Sequence, residues 1–103
     1  ILINGLSASA SEILTLALKE QLGSTIIWTK SFWKGSIQTL QELDNKDSLK
    51  YTVGKRYGPK GTSIDKKWIT PDIEEELNFT GYLNNKTDNK LKKAQEILIK
   101  KIK

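Results

Sequence analysis

The 103-residue chain contains no histidine, no cysteine and no methionine. Without imidazole or thiol it has no means of building a Ser-His-Asp triad, a thiolate nucleophile, or a zinc site with the usual nitrogen and sulfur ligands. Covalent chemistry would therefore fall to serine, threonine, lysine, tyrosine or a carboxylate, and neither a metal nor a cofactor is expected. The lack of cysteine fits a reducing compartment and an exported protein without disulfides equally well. The lack of methionine, in a chain that starts Ile1-Leu2-Ile3-Asn4, reads as a piece of a longer protein. Long hydrophobic runs are absent too. Nothing approaches the roughly 20 apolar residues of a membrane span, and Ile1 to Leu6 lacks the charged start of a signal peptide. No membrane insertion by this segment is expected.

What is present is an ordinary globular composition, 37% hydrophobic and 28% charged, with 17 Lys plus Arg against 12 Asp plus Glu. The excess of +5 is local: residues 90–103 hold six lysines and Glu96, which leaves 11 basic and 11 acidic groups in residues 1–89. In that tail Leu91, Ala94, Leu98 and Ile102 recur at spacings of three and four. This predicts an amphipathic helix with its lysines toward solvent. A basic helix of this kind also suits anionic lipid or nucleic acid, but a solvated face accounts for the pattern, and no nucleic-acid partner is expected.

The rest of the chain reads as one α/β unit. Ile1 to Asn4 is a short buried strand stopped by Asn4-Gly5. Ser9 to Leu22 is a helix with Gly23 as C-cap, and the β-branched and aromatic Thr25 to Thr29 is a second strand. Strand, helix and strand at this spacing predict a βαβ unit. Ser36 to Leu43 and Ser48 to Tyr57, separated by Asp44-Asn45-Lys46-Asp47, predict a β-hairpin. Gly58-Pro59-Lys60-Gly61 is a turn, Ile69 to Ile73 a short extended piece, and Asn84 to Asn89 a polar loop before the basic helix.

Two segments carry candidate chemistry. Ser7-Ala8-Ser9-Ala10-Ser11-Glu12 places hydroxyls at a helix N-terminus, where unpaired N–H groups and the helix dipole favour a developing oxyanion. The same letters form a capping box, Ser9-x-x-Glu12, which needs no chemistry at all. A serine nucleophile without histidine needs another base, and a lysine serves only when neutral. That requires a dry site that moves its pKa from about 10.4 towards 7 or 8. Lys34, between Ser31-Phe32-Trp33 and Gly35, has aromatic surface for that purpose, and an extended chain from Lys34 puts Ser36 and Gln38 on the same side. An aromatic-packed surface lysine is the simpler reading of the same residues.

The order of these blocks resembles the C-terminal part of the carboxyl-terminal processing proteases, or tail-specific proteases, which are serine peptidases with a Ser-Lys dyad. The match runs through Asn4 and Ser7-Ala8-Ser9-Ala10-Ser11-Glu12-Ile13, then Phe32-Trp33-Lys34-Gly35-Ser36-Ile37-Gln38-Thr39, then Leu49-Lys50-Tyr51-Thr52. It continues through Arg56-Tyr57-Gly58-Pro59-Lys60-Gly61-Thr62-Ser63-Ile64 and Ile69-Thr70-Pro71-Asp72-Ile73, and into the closing helix. The resemblance implies an α/β fold that is part of a crotonase/ClpP-like peptidase core, with residues 1–103 forming a C-terminal fragment of the peptidase domain. It also implies Ser9 as nucleophile, Lys34 as general base, Gln38 as the supporting amide and the backbone N–H of Ala10 as one oxyanion donor. The substrate it implies is a protein or peptide cut near its C-terminus, outside the cytoplasm.

Two departures stand out. Trp33 occupies a position where the family has glycine, next to the base, where it either deepens desolvation of Lys34 or disturbs a glycine-type backbone. Lys30 stands where the family has an acidic residue. The family's upstream glycine-rich oxyanion segment and PDZ domain are not among these residues. The expectation is therefore a chain weakly active or inactive by itself, with a pseudo-peptidase or interaction module as the alternative. Unpaired strand edges in such a piece also predict self-association.

Overall fold

A computed structural model describes all 103 residues. Its centre is a three-stranded parallel sheet of two-residue strands in the order β1-β2-β5: β1 (Leu2–Ile3), β2 (Ile27–Trp28) and β5 (Ile73–Glu74). Leu2 is in register with Ile27, and Ile27 with Ile73. The connection from β1 to β2 runs through α1 (Ala10–Leu22), so the expected βαβ unit is present. β2 is central, and Ile26 and Ile27 are accordingly buried, as a parallel strand paired on both sides requires.

α1 lays Leu16, with Ile13 at the margin, on a small core completed by Ile3, Ile26, Ile64 and Ile69. It ends where a helix-terminating glycine was expected. Gly23 adopts φ 63°, ψ 29°, its N–H returns to the Lys19 carbonyl, and the Ser24 N–H returns to the Leu18 carbonyl.

The predicted hairpin forms from β3 (Ser36–Glu42) and β4 (Ser48–Lys55), antiparallel, with Ser36 opposite Lys55 and Glu42 opposite Ser48. The register shifts between Ile37 and Gln38, which pair with Gly54 and Thr52, leaving Val53 as the extra residue of a bulge. Most of the hairpin is exposed. The molecule is correspondingly long, 60 × 36 × 17 Å with a radius of gyration of 17.8 Å, where a compact chain of this length has about 13 Å.

The C-terminal region differs in two respects from the sequence reading. The polar loop is shorter than expected, because α2 (Phe79–Asn85) occupies its start. The Asn78 side chain accepts the Gly81 N–H and Lys86 ends the helix in the left-handed region, so this one-and-a-half-turn helix is set by its caps rather than by an apolar stripe. α3 (Asn89–Ile102) is the expected basic helix, capped by Asp88, but its lysines do not all face solvent. Lys90 is buried with its ammonium 3.5 Å from the centre of the Trp28 ring, because an ammonium desolvated over an indole face is stabilised by the ring quadrupole. Leu91, Leu98, Ile99 and Ile102 remain exposed. No helix is long and apolar enough to cross a membrane.

Asp72 ties this sheet to α1. Its carboxylate accepts from Lys19 Nζ at 2.6 Å and from the Ile26 N–H at 2.8 Å. The Lys19 hydrogen bond first, and then the Ile26 amide, hold its carboxyl below the usual aspartate value. A depressed carboxylate pKa contributes stability that is complete above the unfolded value and lost as pH falls through the folded one. Asp72→Asn should therefore lower stability at neutral pH and flatten the acid limb of the stability curve in pH-dependent urea unfolding. Because both partners are more than a third exposed, the loss should be under about 1 kcal/mol.

Candidate functional site

The serine segment begins at the end of β1, where Asn4 organises a tight turn. Its Oδ1 accepts the Leu6 N–H, its carbonyl accepts the Ser7 N–H, and its own N–H donates to Ser7 Oγ. The turn delivers Ser9 as the N-cap of α1 with φ 59°, ψ −113°, a conformation that L residues rarely adopt. Holding a serine there costs about 1–3 kcal/mol and survives only where its surroundings fix it. Here the fixing group is Glu12, whose Oε2 accepts the Ser9 N–H at 2.9 Å. The Ser9 Oγ stands in capping-box register with the Glu12 N–H, where it can only accept, so its hydroxyl proton is not committed to the helix. Ala10 follows as the first helical residue, and its N–H is among the four that an α-helix leaves without an intrahelical acceptor.

Glu12 is fully buried. No cation pairs with it; its charge is met by dipoles. Besides the Ser9 N–H, Oε1 accepts Ser31 Oγ at 2.5 Å and the Trp33 N–H at 2.7 Å, and Oε2 accepts the Lys34 N–H at 2.9 Å. A buried carboxylate is tolerable only with this kind of saturation, and charge-assisted bonds of this length are the stronger class. One side chain thus fastens the turn of Ser9 and the segment of Lys34 to the same point. A fifth strap, Phe32 N–H to the Ser7 carbonyl at 2.9 Å, runs parallel to it. Ser31 relays the anchor to the core: its Oγ accepts the N–H of buried Ile69, and its N–H donates to the Ile69 carbonyl.

Trp33 takes φ 71°, so the indole does not prevent the glycine-type turn; it sits in it under strain. Two consecutive N–H groups, of Trp33 and Lys34, reach one carboxylate through that turn. Gly35 then passes so close to the backbone of Ile64–Asp65 that an added Cβ would lie 2.3 Å from the Asp65 nitrogen. The Lys34–Asp65 bridge and the Arg56 N–H to Gly35 carbonyl bond at 2.7 Å hold that contact.

Beyond it lies a cleft of about 450 Å³. Lys34, Ser36 and Gln38 all line it, in keeping with their expected common side, and Thr52, opposite Gln38, faces them across the hairpin. Phe32 and Trp33 stack at its mouth with ring centres 6.4 Å apart. Lys34 is exposed, no hydrogen bond joins its ammonium to Ser9 or Gln38, and Ser9 is not among the lining residues. Lys30 is turned onto Trp68, 5.1 Å from the ring centre.

Sequence reasoning gave Glu12 only its capping role and missed its grip on residues 31–34. It also missed Asp65, which pairs with Lys55 at 3.0 Å inside the cleft and holds that ammonium above the usual lysine value. The signal for the first was a carboxylate on the inner side of an amphipathic helix. No local signal marked the second.

The chain is also similar to proteins of known family. Residues 1–75 match the family model of peptidase family S41. A carboxy-terminal-processing protease of Bartonella bacilliformis is 52% identical over 73 residues, 71% of this chain and 17% of that protein. The carboxy-terminal processing protease CtpA of Bacillus subtilis is 39% identical over 77 residues, 75% of this chain and 16% of that protein. Among solved structures, a photosystem II D1 C-terminal processing protease superposes with a TM-score of 0.66 at 36% identity, covering 73% of this chain and 19% of that one. The chain spans less than a fifth of the length of these relatives.

Two outcomes test the site's construction. Glu12→Gln, which replaces one doubly accepting oxygen by a donor facing donors, should cost about 2–3 kcal/mol in denaturant unfolding. Gly35→Ala, which has no space for its methyl group, should cost about 1–3 kcal/mol and weaken the Lys34–Asp65 contact, read as accelerated amide exchange at Asp65 and Arg56.

Proposed function

Because the chain belongs to peptidase family S41, we propose that it carries the nucleophile and base of a serine-type endopeptidase that cuts protein substrates near their C-terminus. The observation that carries this reading is the Glu12 clamp: one buried carboxylate holds the strained turn of Ser9 and the backbone of Lys34 together, 25 residues apart in sequence. A purely structural capping glutamate has no need of the second attachment.

In this reading Ser9 Oγ attacks the scissile carbonyl while the neutral amine of Lys34 takes its proton. The resulting oxyanion lies at the N-terminus of α1, where the Ala10 N–H donates to it. Collapse expels the amine half of the substrate with the proton from Lys34, and water, deprotonated by the same amine, releases the acyl half. Gln38 orients Lys34 from the same side of the cleft. The base works only when water is excluded, for which Phe32 and Trp33 supply apolar surface and the bound peptide supplies the rest.

We read residues 1–103 as the C-terminal part of the peptidase domain. The second oxyanion donor, and a PDZ domain that grips the substrate, would then come from elsewhere in the protein, acting outside the cytoplasm. Loss of one oxyanion donor costs about 100- to 1000-fold in turnover, so the isolated chain should be weakly active or inactive. The exposed position of Lys34 and its lack of a bond to Ser9 favour a second reading, a pseudo-peptidase that keeps the fold without the chemistry.

Processing of a tail-labelled protein substrate by the full-length protein separates the two. The peptidase reading expects tail release, lost by at least about 10⁴-fold in Ser9→Ala and in Lys34→Ala. Tail release that survives Ser9→Ala, or no release by the full-length protein, contradicts it.

A further inference from the structure

The cleft in front of Lys34 combines two features that the fold itself does not use. Its mouth is a stacked ring pair, Phe32 and Trp33, of which 52% and 46% is exposed. The indole is therefore only about half buried, yet it sits at φ 71°, where glycine would be unstrained. A strained backbone bearing a displayed ring beside a candidate base is what a ligand-contacting position requires, and what a packing position avoids.

The second feature is charge. Asp65 neutralises Lys55, whereas Lys66 lines the same cleft with no acidic partner. The cleft lining thus combines a flat apolar pair with an unpaired ammonium.

The geometry points to this cleft as a selective peptide subsite in which Trp33 is the specificity-determining residue. Resting on the peptidase reading above, the preferred substrate segment places a large flat side chain, Phe or Trp, against the Phe32–Trp33 pair, next to an acidic residue that faces Lys66. Charge complementarity fixes the second choice: with Lys55 paired to Asp65 and Lys34 serving as the neutral base, Lys66 is the cation left in the cleft, and a carboxylate is favoured beside it. The other polar lining groups, Ser36, Gln38 and Thr52, are neutral and leave that preference unopposed.

Peptide binding to the Ser9→Ala chain tests this independently of turnover. The probes are three fluorescein-labelled Ala/Gly peptides with a central Phe-Asp, Ala-Asp or Phe-Asn pair, read by anisotropy at low salt. Phe-Asp should bind about fivefold tighter than Ala-Asp and about threefold tighter than Phe-Asn, the latter difference fading as salt rises.

Trp33→Gly, which suits the positive φ, should abolish the first ratio and keep the second. Trp33→Asn, also tolerant of that conformation, provides a second variant. Lys66→Asn, chosen because Lys66 sits at φ 54°, should abolish the second ratio and keep the first. Equal affinity for the three peptides, no binding of any of them, or ratios that survive these substitutions would overturn the proposal. Intact ratios in a chain whose full-length protein fails to release tails would instead contradict the peptidase reading and leave the subsite standing.

Discussion

A single buried carboxylate organises the functional end of this molecule. Glu12 lies inside the protein with no cation beside it, and four donors from two segments of the chain converge on its two oxygens. Leaving any one of them unmet would expose the desolvation cost of the charge, so the donors are held as firmly as the charge is buried. The conformations of Ser9 and Trp33, both in backbone regions that L residues avoid, follow from that convergence. Each is strained by itself and stable only as part of the arrangement that satisfies Glu12.

The same helix repeats the device on a smaller scale. Lys19 reaches Asp72 before β5, and Glu20 accepts the Lys60 N–H and Thr62 Oγ1 in the turn that follows β4. Those two bonds, the Thr62 hydroxyl first, hold the Glu20 carboxyl below its usual value, and they bring Glu20 so close to Gly58 that a side chain there would press on it. α1 therefore positions three remote segments through polar ties, while its apolar residues meet a core of only five buried side chains. In a chain this long for its mass, specific hydrogen bonds do the positioning that a larger core would do by packing.

Much of this was legible in the letters. The βαβ unit, the hairpin, the Gly23 cap and the basic helix follow from period, turn chemistry and capping, which are local rules. The common side of Lys34, Ser36 and Gln38 follows from strand alternation, and the cleft they line bears that out. Capping signals alone define α2, which is too short to show a period; the sequence marks only its last two residues, Asn84 and Asn85, and marks them as loop. The burial of Lys90 on Trp28 depends on a partner 62 residues away, and the close pass of Gly35 over Ile64–Asp65 on one 29 residues away. Local patterns cannot encode such contacts. The reach of Glu12 to residues 31–34 belongs to the same class, although its near half, the bond to Ser9, was readable as a capping box.

The central claim is that Glu12 makes the serine turn and the lysine segment one mechanical unit. Residue-resolved amide hydrogen exchange, comparing the native chain with Glu12→Asp, tests it directly. A side chain shortened by one methylene keeps its charge but cannot span both attachments. The account expects the N–H groups of Ser9, Trp33 and Lys34 to lose protection together, while Ile27 and Asp72 on the sheet keep theirs. Loss confined to Ser9, with Trp33 and Lys34 unchanged, would mean that the two segments are held independently and would contradict it.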